Sequence, residues 1–181
     1  MNEEPSIYRE PGFQRMEKQF LTNEEYARAI ETFIVTCADT IITDKTAKCV
    51  YLAKRRSKPL RDMWWMIGGR RQPGVPAREA MQTIFKRETL LELPSERFVF
   101  VALAEYLLKD REQEPQNKNQ HTQGYTFAVD LTAKEREVVA AHLDSKEYYI
   151  DLGLRAFGIQ QLEDDAYHPT LIALATRALY I

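Results

Sequence analysis

The sequence predicts an α/β fold in which a mixed β-sheet lies between helices. Two observations predict it. Strand-length runs of β-branched and aromatic residues are interleaved with segments of helical period along the chain. Short turns join most of the strand-like runs, so hairpins and a meander outnumber strand–helix–strand units, and such a sheet must bury both faces under helices. No internal repeat, low-complexity segment or linker interrupts the 181 residues. Residues 21–181 are therefore expected to form one domain behind an N-terminal arm, residues 1–20, which is charged and carries Pro5 and Pro11.

The elements follow in order. Thr22 and Glu25 form a capping-box pattern, and Tyr26, Ala29, Ile30 and Phe33 then recur at helical spacing. Ile34–Thr43 and Ala47–Ala53 read as a hairpin around Asp44-Lys45-Thr46, closed by the cations Lys54, Arg55 and Arg56. Met63–Ile67 is a short apolar strand stopping at a Gly68-Gly69 turn. Pro76 opens a helix expected to run to about Leu93, with Pro94 ending it. Arg97–Leu108 is a long strand, Lys109 to Gly124 a polar and mobile loop, and Tyr125–Leu131 another strand. Ala133–Leu143 is a short helix, Leu154–Ile159 a further strand, and His168-Pro169 opens a C-terminal helix with Leu171, Leu174, Ala175 and Ala178 on one face.

Composition narrows the function classes. A formal net charge of −2 and a pI near 6.0 argue against a general nucleic-acid or membrane-surface binder. No apolar run approaches the ~20 residues of a membrane span. The N-terminal residues lack the pattern of a secretory signal, and Cys37 and Cys49 show neither metal-ligand spacing nor a disulfide framework. A cytoplasmic protein with free thiols is expected.

The chemistry concentrates in the stretch from Trp64 to Leu93. With about 100° per residue from Ile84, the residues Ala77, Ala80, Met81, Ile84, Phe85 and Leu91 share one arc. Glu88 and Glu92 project from within that arc, one turn apart, and Arg87 lies at its edge. Two carboxylates so placed repel each other and are costly to bury unpaired. Either a divalent cation, Mg²⁺ or Mn²⁺, is held between them, or Arg70, Arg71 or Arg87 pairs with them. The double glycine permits close backbone approach, and Arg70, Arg71, Lys54 and Arg55 near it favour a diphosphate-bearing small molecule.

On these residues the stretch resembles the Nudix box, the glycine–loop–helix signature of enzymes that cleave nucleoside diphosphates linked to another group. The usual pattern is Gly-x5-Glu-x7-Arg-Glu-apolar-x-Glu-Glu-x-Gly. Read without gaps from Gly69, it keeps only Glu88, with Val75, Thr83 and Ile84 at the other chemical positions. Four extra residues, about one helical turn, place Arg87-Glu88 on Arg-Glu and Glu92 on the last glutamate, and that register is expected. Over roughly the first hundred residues the chain most resembles the GDP-mannose mannosyl hydrolases, through FLTNEEYARAIET, Asp39, LAKR, Trp65, GGRRQ and FKRETLLEL.

The resemblance implies a Nudix-like αβα sandwich, a nucleoside-diphosphate-sugar substrate, Mg²⁺ (or Mn²⁺), and mildly a homodimer. It implies metal binding by Gly68, Gly69, Glu88 and Glu92, and charge stabilisation by Arg70 and Arg87. Asp39, Lys54, Arg55 and Arg71 fall on the substrate side. Val75, Leu91 and Pro94 depart from the pattern, and the late Gln-His pair of the mannosyl hydrolases has no counterpart near Glu147–Leu154. Glu147 or Asp151 is then the candidate base, with His121 a further candidate, while His142 and His168 read as structural. Two functions follow: hydrolysis of a GDP-mannose-like nucleotide sugar, or binding of a nucleotide or sugar phosphate, as sensor or partner module, by a Nudix-like domain impaired in catalysis. A protein-interaction module in which the helix acids are structural stands third.

Overall fold

The computed structural model describes residues 3–17 and 19–181. Residues 1, 2 and 18 of the expected arm lie outside them, and the described part of the arm has no helix or strand. The arm is tied down by Glu4, whose carboxylate accepts from Arg78 Nε at 3.0 Å.

The sheet is organised around one strand. β1 (Val35–Asp44) pairs antiparallel with β2 (Cys49–Lys54) through Ile42, Thr43 and Asp44, and antiparallel with β4 (Ile67–Arg70) through Cys37 to Thr40. Along its other side it runs parallel to β6 (Gln120–Asp130), which pairs antiparallel with β5 (Val99–Leu108). β3 (Trp64–Trp65) and β7 (Leu154–Phe157) pair with β2. The main path is β3-β2-β1-β6-β5 in a mixed seven-stranded sheet. Because side chains alternate across a strand, β1 sends Ala38 and Ile42 to one face and Ile41 to the other.

Each face is covered by helices, as expected. On the first face, α2 (Ala77–Thr89) and α3 (Ala133–Ala141) pack Ala80, Met81, Ile84, Phe85 and Val139 against Ala38, Ile42, Phe98, Phe127 and Val129. On the second, α4 (Ile159–Asp164) and α5 (Pro169–Leu179) pack Leu162, Leu171, Leu174, Ala175 and Ala178 against Ile41, Val50, Leu52, Val101 and Phe157. α1 (Asn23–Thr32) starts with the expected reciprocal Thr22–Glu25 capping box, but Phe33 lies past its end and is exposed.

Several boundaries differ from expectation, each for a physical reason. Gly68 and Gly69 are strand residues of β4 and not a turn, because neighbours occupy the space of both missing Cβ atoms. β6 begins at Gln120 and so takes in part of the polar run expected to be loop. The remainder of that run is anchored by Arg111, a fully buried side chain that donates to the carbonyls of Ala27, Gln113, Glu114 and Pro115 and to Glu31 Oε1 at 2.9 Å. Five donors with enough acceptors make burial of a guanidinium tolerable. α4 was not foreseen, and strand β7 stops at Phe157 where it begins.

The most consequential difference is the end of α2. The helix stops at Thr89, and Leu90 takes a left-handed conformation with φ +56° while its N–H closes on Lys86 O at 2.9 Å. Helices commonly end this way on glycine, because a Cβ is penalised there. Leu90 is exposed, so its side chain offers little packing in return. Leu90→Gly is expected to gain roughly 0.5–1 kcal/mol after the extra chain entropy of glycine, a Tm rise of ~1–4 °C. Calorimetry or a circular-dichroism melt checks this, and a lower Tm would show that the Leu90 side chain is held by packing.

Candidate functional site

Strand β4 separates two charged groups that approach it from opposite faces. On the second face Asp39 stands opposite Gly68 on β4 and Thr126 on β6. A Cβ at Gly68 would fall 1.9 Å from Asp39 Oδ1 and 2.9 Å from the Ala38 carbonyl, and one at Gly124 would fall 2.8 Å from Asp39 Oδ2. The carboxyl therefore lies in a slot that only two glycines leave open. On the first face a Cβ at Gly69 would meet Arg87 Nη2 at 2.7 Å. The double glycine is thus a sheet segment narrowed on both sides.

On the α2 face the central acid is Glu88, 1% exposed. Arg87 Nε and Nη2 both donate to its Oε1, at 2.9 and 2.5 Å, while Oε2 is buried without a hydrogen-bond partner. Burial raises the Glu88 pKa, Arg87 pulls it back, and the charges of Glu147 and Asp144 push it up further. Backbone joins this cluster too, since Asp144 N–H donates to the Glu88 carbonyl at 2.9 Å. The buried Tyr148 hydroxyl accepts from Gly68 N–H at 3.4 Å, and burial raises its pKa. Past the end of β2, Arg55 Nη2 donates to Ser57 Oγ at 2.8 Å and to Glu147 Oε2 at 3.4 Å, and Ser57 Oγ donates to the same carboxylate oxygen at 2.5 Å.

The second face carries a different polar group. Burial pushes the Asp39 pKa up to about 7, with Arg55 pulling it down. Tyr106 and Cys37 are raised by burial and then by the Asp39 charge. The hydroxyls of Tyr106 and Thr126 are buried here with no well-formed hydrogen bond. Arg70 places its guanidinium 3.7 Å over the Tyr26 ring of α1, and Arg71 lies 4.5 Å over Tyr125 while donating from Nη2 to Val75 O at 3.0 Å. The Nε of Arg71 is buried and unpartnered.

The fold thus brings together Gly68, Gly69, Arg87, Glu88, Arg55 and Glu147 around one segment, with Asp39 behind it. Other expected residues are elsewhere. Glu92 does not point inward: its side chain is 67% exposed and pairs with Lys86 at 2.6 Å, because the turn at Leu90 breaks the helical phase that would have aligned it with Glu88. Asp151 is exposed in a 3-10 turn, Ile150–Leu152, and makes no hydrogen bond or ion pair among the described residues. His121 is a β6 residue and not a loop residue, with Nε2 buried and 3.9 Å from Glu105. Lys54 ends β2, where its carbonyl accepts from Tyr149 N–H at 3.0 Å.

The helix end also bears on how the motif pattern lies along the chain. Counting from Gly69 without gaps, the closing glycine of the pattern falls on Leu90, the residue in the left-handed conformation. The expected four-residue insertion would put Glu92 one turn from Glu88 on the same helix, and the turn at Leu90 keeps the two apart. In the gapless register Arg87 stands at the first of the paired glutamates and Glu88 at the second. The set Gly68, Gly69, Glu88 and Glu92 is not assembled, and no group of three or more His, Cys, Asp or Glu among the described residues could hold a metal ion. A hard divalent cation takes oxygen ligands, and of the carboxylates near the double glycine Glu88 is engaged by Arg87 and Glu147 by Arg55 and Ser57. Tyr148, Ser57, Gly124 and Tyr106 were not foreseen. A polar residue next to a strand end was the available signal for Ser57, whereas the others are placed by tertiary packing alone.

A sheet split along one central strand, helices on both faces and a helix carrying its buried acid behind a double glycine define a class of fold, the Nudix αβα sandwich. Solved structures share this fold. The MutT NUDIX hydrolase from Burkholderia pseudomallei superposes with a TM-score of 0.59 at 14% identity, over 80% of this chain and 98% of that one. The MutT protein from Methanosarcina mazei Go1 gives 0.56 at 12%, over 80% and 92%. Shewanella oneidensis NrtR, complexed with a 27mer DNA, gives 0.54 at 10%, over 79% and 59%. At these identities the likeness is one of fold. No family sequence model matches the chain, and no curated protein sequence matches it.

Two measurements check this geometry. Gly68→Ala sets a Cβ against both a carboxylate and backbone, and is expected to lower stability by roughly 2 kcal/mol or more, whereas at Gly69 the obstacle is the far end of a movable side chain and the loss should be smaller. Asp39 titrates near 7 when folded and near 3.8 when unfolded, so the native state holds its proton more tightly. Its contribution is complete below pH ~4 and is lost as pH rises toward 7, at up to ~1.4 kcal/mol per pH unit. Asp39→Asn removes that dependence, so its Tm relative to the parent should rise between pH 4 and 8; a pH-independent difference would show that Asp39 is ionised without cost.

Proposed function

We propose that this chain is a Nudix-fold domain that binds a nucleoside diphosphate or a diphosphate derivative and serves as a sensor or partner module impaired in hydrolysis. The observation that carries this reading is the Arg87–Glu88 pair beside Gly69. The helix acid that the resemblance would assign to a metal is already engaged by a guanidinium. Arg70, Arg71 and Arg55 border the same strand in a chain of net charge −2, which supports an anionic ligand. Glycine at position 69 lets the Arg87 guanidinium lie close against the strand, where a diphosphate would meet it. The DNA-bound structure of NrtR supports the view that this fold can serve a role other than hydrolysis. The net charge supports a small-molecule ligand over DNA for this chain.

A second reading has one observation in its favour. Glu147 lies close enough to Glu88 to raise its pKa, so a second carboxylate stands near the double glycine. Under that reading the chain hydrolyses a GDP-mannose-like nucleotide sugar with Mg²⁺, with Glu147 as base, Arg70 stabilising the diphosphate, and Asp39, Lys54 and Arg71 toward the substrate. Mg²⁺ would supply charge neutralisation at the diphosphate if it binds with the substrate.

Thermal-shift and calorimetric titrations with GDP, ADP, UDP and their sugar conjugates separate the two. Saturable stabilisation without product by phosphorus NMR is the expected result. Turnover of a nucleotide sugar that requires Mg²⁺ and fails in Glu147→Gln selects the second reading. Absence of both binding and turnover across the panel would falsify the diphosphate assignment. Duplex DNA, titrated in parallel by fluorescence anisotropy, is expected to give no saturable signal at physiological salt.

A further inference from the structure

A buried carboxylate needs a positive partner, and beside a double glycine a hydrated divalent ion or a guanidinium can supply it. Here Arg87 supplies it from the adjacent position of the same helix. Its two nitrogens bond one oxygen of Glu88, and Nη2 lies so close to Gly69 that a Cβ there would stand 2.7 Å away. The guanidinium side chain is nonetheless 51% exposed while the Glu88 side chain is 2% exposed. One edge of Arg87 is therefore spent on the buried acid, and the rest of the group faces outward beside the Gly69 backbone.

We propose that Arg87 is a built-in replacement for a divalent cation, so that this site engages a diphosphate without metal. The protein's own cation neutralises Glu88, fixes the guanidinium plane against β4, and presents the outward N–H groups to phosphate oxygens. A fork of donors suits two phosphate oxygens at once, which a point charge does not. Glu88 then acts as a positioning residue, orienting the guanidinium from below. The choice of diphosphate as ligand rests on the function proposed above; the replacement of metal does not.

The test uses the whole chain and reads metal and nucleotide separately. Mn²⁺ is titrated alone and followed by electron paramagnetic resonance, in the parent, Arg87→Glu and Arg87→Gln, with folding checked by circular dichroism. The parent is expected to leave Mn²⁺ free. Arg87→Glu, which puts a second carboxylate beside Glu88, is expected to bind it at least about tenfold tighter than Arg87→Gln, and to lose that gain when Glu88→Gln is added. GDP affinity of the parent is expected to be unchanged by EDTA and to fall about tenfold or more in Arg87→Gln. Saturable Mn²⁺ binding by the parent that disappears in Glu88→Gln overturns the proposal, as does a GDP affinity that collapses in EDTA. If Arg87→Glu does not fold, the parent and Arg87→Gln arms still decide it. A parent silent to Mn²⁺ that also fails to bind any nucleotide removes the diphosphate reading while leaving the metal replacement standing.

Discussion

The structure depends on one constraint: β4 must pass between two charged side chains, and it can do so only without Cβ atoms at Gly68 and Gly69. Asp39 fills one side and Arg87 the other. Because β4 pairs with the first half of β1 and β2 with the second half, the sheet divides where these partners part. Side chains from past the end of β2 and from the Asp144–Tyr148 turn reach the divided region, which is how Arg55, Ser57, Glu147 and Tyr148 come to lie near Gly68. Chain crossing and side-chain chemistry are set by the same two residues.

The electrostatics follow from that crossing. Asp39 and Glu88 lie on opposite faces, each desolvated, and in each case burial raises the pKa while an arginine opposes it, Arg55 for the first and Arg87 for the second. Arg87 is half-exposed and can still attract an anion, while the Glu88 that it balances is withdrawn from water. A site built this way is locally cationic toward solvent although the chain as a whole is weakly acidic.

The layers, most strands and the inward phase of Glu88 were legible because hydrophobic period reports burial directly. What was not legible has definite physical causes. Glycine in a sequence signals a turn, yet at Gly68 and Gly69 it answers a tertiary crowding that local sequence does not express. The polar run before Tyr125 hid the first residues of β6 and with them His121, because an edge of sheet beyond the end of β1 tolerates polar side chains. Gly124 and Tyr106 reach Asp39 from β6 and from its neighbour β5, through a register that no single segment encodes.

The end of α2 shows how one backbone conformation can redirect a functional reading. Leucine carries no stop signal, and a helix continued to Leu93 would have set Glu88 and Glu92 on one face as a pair of acids. The left-handed turn at Leu90 instead sends Glu92 to solvent and Lys86, leaving Glu88 to pair with Arg87. Glu88 is matched within the protein by that guanidinium, through one of its two oxygens. A pair of acids would have required a charge from outside. The chemistry available at this double glycine is therefore decided by where the helix stops, at a residue whose own side chain lies exposed.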